Sequence, residues 1–176
     1  MTQPLRDRRI LTGGATGIGA AAVEVLSEAG ADVVVTYHRT PPPDGAGVSW
    51  VQCDLRDAAA VDHMVSGAAE TRSGLHVLLH GAGLWQPGIP GQITGEDIDF
   101  LVDTNIKATI LTNQAAYAVM RNNGGGRIIN FDPLGGALGD PVNDLGPTLV
   151  FLCGEGSRFI TGQLIAVDGE LVMLGA

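Results

Sequence analysis

A glycine-rich motif near the N-terminus has the residue types and spacing of a phosphate-binding turn. It reads Thr-Gly-Gly-Ala-Thr-Gly-Ile-Gly over residues 12–19, between a short apolar run and a segment with helical periodicity. Gly13 would permit the tight turn, Gly17 would let the backbone approach a pyrophosphate, and Gly19 would let the helix pack closely on the strand. The free N–H groups and the positive dipole end of that helix favour an anion. The motif therefore predicts a dinucleotide-binding turn, with a purely structural glycine turn as the alternative.

The residues after the second predicted strand bear on the choice between NAD and NADP. An acidic residue at this position would hold a free ribose 2′-hydroxyl, but the chain has Thr-Tyr-His-Arg at residues 36–39. The guanidinium of Arg39 could instead pair with a 2′-phosphate through two hydrogen bonds. We therefore expect NADP rather than NAD, with a solvated loop arginine as the alternative reading of Arg39.

Strand-like and helix-like segments alternate along the chain, and these elements must position the candidate residues. Strands are predicted over residues 9–12, 32–37, 48–53, 75–80, 127–131 and 164–167, and helices over residues 17–29, 57–71, 96–122 and 141–152. The three consecutive valines at 33–35 are typical of a strand that is buried on both faces. This alternation predicts an α/β fold with a parallel sheet. No linker divides the chain, so a single domain over residues 1–176 is expected.

Composition excludes several classes of protein. The 176 residues are 45% hydrophobic and carry a formal net charge of −9, which is incompatible with a disordered chain and argues against nucleic acid or anionic lipid as the partner. No apolar run is long enough for a membrane helix, and the arginine-containing N-terminus lacks the apolar core of a secretory signal. Cys53 and Cys153 match no metal spacing and are expected to be buried thiols. A cytoplasmic protein is therefore expected.

Several motifs together resemble the short-chain dehydrogenase/reductase family over nearly the whole chain. The matching segments are the glycine motif at 12–19, Cys-Asp-Leu at 53–55, His-Gly-Ala-Gly at 80–83, Asp-Thr-Asn at 103–105, Gly-Arg-Ile-Ile-Asn at 126–130, and the segments at 140–142, 151–152, 161–163 and 167–169. The resemblance implies a Rossmann-like, doubly wound parallel sheet flanked by helices. It also implies an NAD(P)-dependent oxidoreductase that acts on a small alcohol or carbonyl substrate and forms a homo-oligomer, either a dimer or a tetramer.

The resemblance, together with the glycine motif and Arg39, defines a set of candidate site residues. The candidate cofactor-binding residues are Gly13, Thr16, Gly17, Ile18, Gly19, Arg39, Asp54, Leu55, Ala82 and Gly83. By resemblance, Asp54 contacts the adenine and Asn105 takes the role of the family's catalytic asparagine. No metal site is predicted.

The chain departs from the family where the family carries its catalytic Ser and Tyr-x-x-x-Lys. The fifth strand passes almost directly into the last predicted helix, so one helix–strand unit and the substrate loop are missing, and the join lies between Phe131 and Pro133. Lys107 is the only lysine, and Tyr37 and Tyr117 are the only tyrosines. The two asparagines that the family has after its fourth strand are replaced by histidine and glycine.

Three hypotheses remain open on this evidence. The chain can be an NADP-dependent oxidoreductase recorded without its catalytic segment, or a naturally shortened module that binds a dinucleotide or a protein partner. It can also be a shortened enzyme that uses His80, Asn105 and Asp132 as acid–base groups. For each of the remaining polar candidates the alternative is an ordinary structural role. His80 could be hydrogen-bonded to neighbouring backbone, and Lys107 could be a surface lysine. Tyr117 and Arg121 could simply be neighbours four residues apart on one helix.

Overall fold

Strands and helices alternate along the part of the chain that the computed structural model describes, residues 3–13, 16–39, 48–70, 74–84, 87–131 and 140–167. The strands are β1 (Arg9–Gly13), β2 (Asp32–Tyr37), β3 (Ser49–Gln52), β4 (Val77–His80) and β5 (Arg127–Asn130). The helices are α1 (Gly17–Glu28), α2 (Ala58–Ala69), α3 (Gly95–Leu101), α4 (Ala108–Asn122) and α5 (Gly146–Cys153). All these elements lie within a few residues of their predicted positions.

The five strands form one parallel sheet in the order β3-β2-β1-β4-β5. In its centre, Ile10 of β1 pairs with Val33 of β2 on one side and with Val77 of β4 on the other. From β1, the strands β2 and β3 follow on one side of the sheet, and β4 and β5 lie on the other side. The strand order therefore reverses between β1 and β4, which leaves a crevice at the carboxyl ends of these strands.

Alternate side chains of each strand point to opposite sides of the sheet, and helices bury the central strands from both sides. On one face, Leu11, Val34 and Leu78 pack with buried residues of α2 and α4. On the other face, Ile10 and Leu79 pack with buried residues of α1 and α5. The sheet is thus a Rossmann-like, doubly wound α/β fold, as the sequence predicted.

Two helical segments contain wide turns that the sequence pattern did not resolve. A π-helical turn at Val102–Lys107 joins α3 to α4, where a short helix running into a longer one was predicted. A second π-helical turn at Pro141–Leu145 precedes α5, in which Pro147 lies in the first turn. Pro147 therefore marks a late start of the α-helix, because proline is tolerated in a first turn, where the N–H needs no partner.

The predicted last strand at residues 164–167 is wrong. The described residues 163–167 have no strand structure, and the Leu164 side chain is 84% exposed. A strand needs a hydrogen-bonded neighbour, and among the described strands the outer side of the sheet next to β5 has none. The segment has the apolar composition of a strand, but no described strand lies beside it.

We predict that Leu79→Ala lowers the free energy of unfolding by about 2–5 kcal/mol, because the substitution leaves a cavity in a packed core. Leu79 lies in β4 and is fully buried. Urea unfolding followed by circular dichroism measures the loss. The matched control Leu164→Ala removes the same atoms from an exposed site and is expected to stay within about 0.5 kcal/mol. Equal losses in the two variants would contradict the described core.

Candidate functional site

The carboxyl ends of the strands surround a cavity of about 360 Å³. Its walls are the end of β2, the segment after β3, the segment after β4 and part of the α3–α4 helical segment. Six of the candidate cofactor-binding residues line it: Thr16, Arg39, Asp54, Leu55, Ala82 and Gly83. Ligands bind at this edge of an open parallel sheet, where the strand order reverses.

The glycine turn connects β1 to α1 beside this cavity, with residues 14–15 outside the described part of the chain. Gly17 has a φ of +57°, a backbone conformation that glycine adopts without strain, and no atom of the described residues lies within 4 Å of the position that a Cβ would take. A Cβ on Gly13 would lie 3.1 Å from Cβ of Ala82, so this glycine allows the ends of β1 and β4 to approach each other. Gly19 is buried in α1, on the side that faces the core.

No described side chain caps the N-terminus of α1. Thr16 is the N-cap residue, but its side chain makes no capping hydrogen bond, and the described first turn of α1 contains no acidic residue. In contrast, α2 is capped by the Asp57 carboxylate, and α3 begins with a capping box between Thr94 and Asp97. The free N–H groups and the helix dipole at α1 therefore suit the pyrophosphate of a dinucleotide.

The end of β2 presents an arginine to the cavity. Among the described residues, the Arg39 side chain has no hydrogen-bond or ion-pair partner. The preceding residue is held in place, since Nε2 of Gln52 donates to the backbone oxygen of His38 over 3.0 Å. Tyr37 packs edge-on against Trp50, with 6.4 Å between the ring centroids. A cation without a partner on an anchored strand end suits an anionic group such as a 2′-phosphate.

The segment after β3 carries an ion pair that the sequence analysis did not identify. Asp54 accepts from Arg56 through Nε at 2.9 Å and Nη2 at 2.7 Å, and it also accepts from the Arg56 backbone N–H. These hydrogen bonds, with His38 as a weaker influence, hold the pKa of Asp54 well below its ordinary value. The spacing of residues 54 and 56 does not by itself indicate this pair, because the pair depends on how the two side chains are oriented.

Asn105 is tied to the segment after β4 by two reciprocal hydrogen bonds. Its Nδ2 donates to the backbone oxygen of Leu84 over 2.8 Å, and its Oδ1 accepts from the Leu84 N–H over 2.8 Å. A Cβ on Gly83 would lie 3.4 Å from Oδ1 of Asn105. Asn105 thus lies within the π-helical turn and fixes one wall of the cavity rather than lining it directly.

The two residues that replace the family's asparagines have local structural reasons. A Cβ on Gly81 would lie 2.0 Å from the ring of Phe131, so the aromatic ring occupies the space that a side chain would need. His80 is buried at the end of β4, and its Nε2 lies 2.9 Å from Oγ1 of Thr109. The same hydroxyl donates to the backbone oxygen of Asn105 over 2.6 Å. This chain of hydrogen bonds connects β4 to the turn between α3 and α4.

The remaining polar candidates are not brought into the cavity by the described residues. Lys107 is half-exposed, with its Nζ 3.4 Å from a carboxylate oxygen of Asp103. Tyr117 is 58% exposed on α4. Asp132 lies outside the described residues. The cavity therefore contains one tyrosine, Tyr37, and no lysine among its lining residues.

Both cysteines are buried and unreactive in character. Burial raises the pKa of Cys53 to about 11, with Asp54 and Asp57 adding to the shift. Burial raises the pKa of Cys153 to about 12. Within the described residues no cluster of three metal-ligating side chains exists. The helices of the described chain are all too short or too polar to cross a membrane.

A parallel sheet with this strand order, a glycine turn between β1 and α1 and a cavity at the point of reversal define a Rossmann-like α/β domain. A family model described as short chain dehydrogenase matches residues 9–143. The chain belongs to the short-chain dehydrogenase family. The match includes the glycine turn, the Asp54 segment and Asn105.

Two curated relatives show how far the similarity extends. The chain is 35% identical over 138 residues to oxidoreductase asL5 of Sarocladium schorii, covering 75% of this chain and 55% of that protein. It is 31% identical over 137 residues to the 3-oxoacyl-[acyl-carrier-protein] reductase MabA of Mycobacterium tuberculosis, covering 77% and 55%. The chain thus spans about half the length of the curated relatives that it matches.

Solved structures share the fold. A short chain dehydrogenase from Mycobacterium smegmatis matches with a TM-score of 0.83 at 20% identity, covering 97% of this chain and 95% of that chain. A short chain dehydrogenase from Burkholderia cenocepacia, solved in complex with NADP, matches with a TM-score of 0.64 at 31% identity. That second match covers 78% of this chain and 60% of the other.

We predict that His80 makes the stability of the protein depend on pH. Burial lowers the pKa of His80 below its ordinary value of 6.5, with the Ala82 backbone opposing the shift. The unfolded chain then binds more protons than the folded chain below about pH 6.5. The contribution of His80 to the free energy of unfolding is therefore fully present above that pH. This contribution is lost as the pH falls toward the folded-state pKa of His80.

Urea unfolding at pH 7.5 and 5.5 measures this dependence. His80→Gln keeps an amide that can hydrogen-bond to Thr109 but does not titrate, so its loss between the two pH values should be smaller. Part of the loss persists in both proteins, because burial also lowers the pKa of His76. An identical pH dependence in the variant and the parent protein would contradict the prediction.

Proposed function

We propose that this chain binds NADP in the cavity and is part of an NADP-dependent oxidoreductase that acts on a small alcohol or carbonyl substrate. The observation that carries the proposal is that an uncapped helix N-terminus and Arg39, an arginine without a partner among the described residues, border one cavity. Both features favour phosphate groups. The NADP complex of the Burkholderia cenocepacia relative supports the same choice.

The residues of this chain would share the work of holding the nucleotide. The turn and first residues of α1, namely Gly13, Thr16, Gly17, Ile18 and Gly19, would bind the pyrophosphate through backbone N–H groups. Arg39 would pair with the 2′-phosphate, and Asp54 and Leu55 would contact the adenine. Ala82 and Gly83 would contact the nucleotide, and Asn105 would have the role of the family's catalytic asparagine. When bound, the nicotinamide supplies or accepts the hydride that interconverts an alcohol and a carbonyl.

The reductase chemistry of the family needs a tyrosine paired with a lysine, and the lining of the described cavity contains Tyr37 but no lysine. The family uses a tyrosine whose pKa is lowered by a nearby lysine ammonium, and the only lysine of this chain is bound to Asp103 on the surface. In the proposed enzyme, a segment with Ser, Tyr and Lys belongs between Phe131 and Pro133. That segment would also cover the outer edge of β5.

The lack of a Tyr–Lys pair in the described cavity favours a second candidate. A naturally shortened chain would bind a dinucleotide, or a protein partner that covers the edge of β5, without catalysing reduction. A homo-oligomer, a cytoplasmic location and a single domain over residues 1–176 belong to both proposals as expectations. Neither proposal includes nucleic acid or a membrane as a partner.

We predict that the purified chain binds NADP more tightly than NAD, and that Arg39→Ala removes the difference. Loss of two charge-assisted hydrogen bonds to the 2′-phosphate should weaken NADP binding about 10- to 100-fold and change NAD binding less than about twofold. Isothermal titration calorimetry measures both dissociation constants.

Arg121→Ala is the matched control, because Arg121 is exposed on α4 and does not line the cavity. This control should bind both nucleotides as the parent protein does. If the parent protein binds neither NADP nor NAD, the proposed function is wrong. If it binds both equally, the assignment of Arg39 to the 2′-phosphate is wrong.

The two candidate functions predict different masses for the protein in its native source. The naturally shortened module has an intact mass near 18.1 kDa, whereas the complete oxidoreductase is heavier by several kilodaltons. Mass spectrometry of the isolated protein decides between them. Robust reduction of ketones by the purified 176-residue chain would contradict the binding module, because that candidate binds a dinucleotide or a partner without catalysing reduction.

A further inference from the structure

The Asp54–Arg56 pair occupies the cavity wall where the proposed nucleotide places its base. The guanidinium of Arg56 contacts the carboxylate through two parallel hydrogen bonds, Nε to Oδ1 at 2.9 Å and Nη2 to Oδ2 at 2.7 Å. A bidentate pair of this kind fixes the plane of the carboxylate as well as its position. Both side chains are about one-third exposed and both line the cavity, so the pair is not sealed in the core.

A count of acceptor positions shows what remains free on Asp54. Each carboxylate oxygen offers two lone pairs. Oδ1 accepts from Nε of Arg56 and from the Arg56 backbone N–H at 3.1 Å, so both of its positions are used. Oδ2 accepts from Nη2, and Nε2 of His38 lies 3.6 Å away, beyond hydrogen-bond distance. One acceptor position on Oδ2 is therefore left.

We infer that Arg56 is a positioning residue that makes Asp54 select a base with an exocyclic amine. The inference rests on the proposed NADP site. Because the fork of Arg56 holds the carboxylate in one plane, the single free position of Oδ2 has a defined direction and can accept one amine N–H. A base with a carbonyl at that position would bring two acceptor oxygens together, which costs binding energy. Arg56 thus sets the base selectivity without contacting the nucleotide.

The test compares NADP with nicotinamide hypoxanthine dinucleotide phosphate, which has a carbonyl in place of the adenine amine. We expect the parent protein to bind NADP at least about tenfold more tightly, as for one hydrogen bond to a charged group. Arg56→Gln frees the carboxylate to rotate, and the ratio of the two dissociation constants should fall about three- to tenfold. Calorimetry measures the dissociation constants without any need for turnover.

Arg56→Lys separates the fork from the charge. Lysine keeps the positive charge but has no planar fork that can hold both oxygens. The inference expects this variant to lose selectivity as Arg56→Gln does. If Arg56→Lys keeps the full selectivity of the parent protein, the charge alone is sufficient and the positioning role is wrong.

The Asp54→Asn variant tests whether Arg56 acts on base selectivity through the Asp54 carboxylate. In this background the carboxylate is gone, so adding Arg56→Gln should change the selectivity ratio less than about twofold, because coupled residues are not additive. If adding Arg56→Gln to Asp54→Asn lowers the selectivity ratio further, Arg56 contacts the nucleotide directly. If Arg56→Gln alone leaves the selectivity ratio unchanged, Arg56 does not position Asp54. Either result overturns the inference.

Two further measurements keep the test decisive. Far-UV circular dichroism of each variant establishes that it is folded, and Arg56→Lys supplies the answer if Arg56→Gln does not fold. The parent protein's own affinity for NADP separates this inference from the proposed function. Absence of NADP binding by the parent protein overturns the proposed function and the inference with it, whereas tight NADP binding without base selectivity overturns the inference alone.

Discussion

The reversal of strand order between β1 and β4 is the constraint on which the cavity depends. The chain runs from β1 to β2 on one side of the sheet and later reaches β4 on the other side, so no described helix crosses the carboxyl ends of the two central strands. The buried valines and leucines on both faces of the sheet keep these strand ends fixed. Short turns at the ends can therefore present backbone N–H groups and charged side chains at defined positions.

The electrostatics of the cavity follow from which charges are already paired. The Asp54 carboxylate is neutralised by Arg56, whereas Arg39 has no partner among the described residues. With the helix dipole of α1 added, the described wall is electropositive although the whole chain carries a net charge of −9. The negative net charge of the whole chain therefore does not oppose a small phosphorylated ligand, because local potentials are set by the nearest groups.

Sequence patterns predicted most of the sheet because buried parallel strands have a strong local signature. The valines of β2 indicate a strand that is buried on both faces, and the glycines around α1 indicate a tight turn into a closely packed helix. The types and spacing of these residues therefore predicted the elements directly. The Arg56–Asp54 pair and the Thr109 link to His80 were missed, because they depend on side-chain geometry that spacing does not express. The assigned roles of Asn105 and the cofactor-binding residues stay predictions, although the structure places most of them at or beside one cavity.

The error at residues 164–167 and the exposure of β5 have a common physical origin. Each side chain of β4 is buried, whereas those of β5 are half-buried or exposed, as expected for a strand that has a described neighbour on one side only. An apolar segment such as residues 164–167 becomes a strand only when an adjacent strand supplies hydrogen-bond partners. A helix–strand unit between Phe131 and Pro133 would extend the sheet beyond β5 and give the last segment that partner. In the proposed enzyme, the Tyr–Lys pair that the described cavity lacks and the strand that β5 lacks among the described residues would both come from this place in the chain.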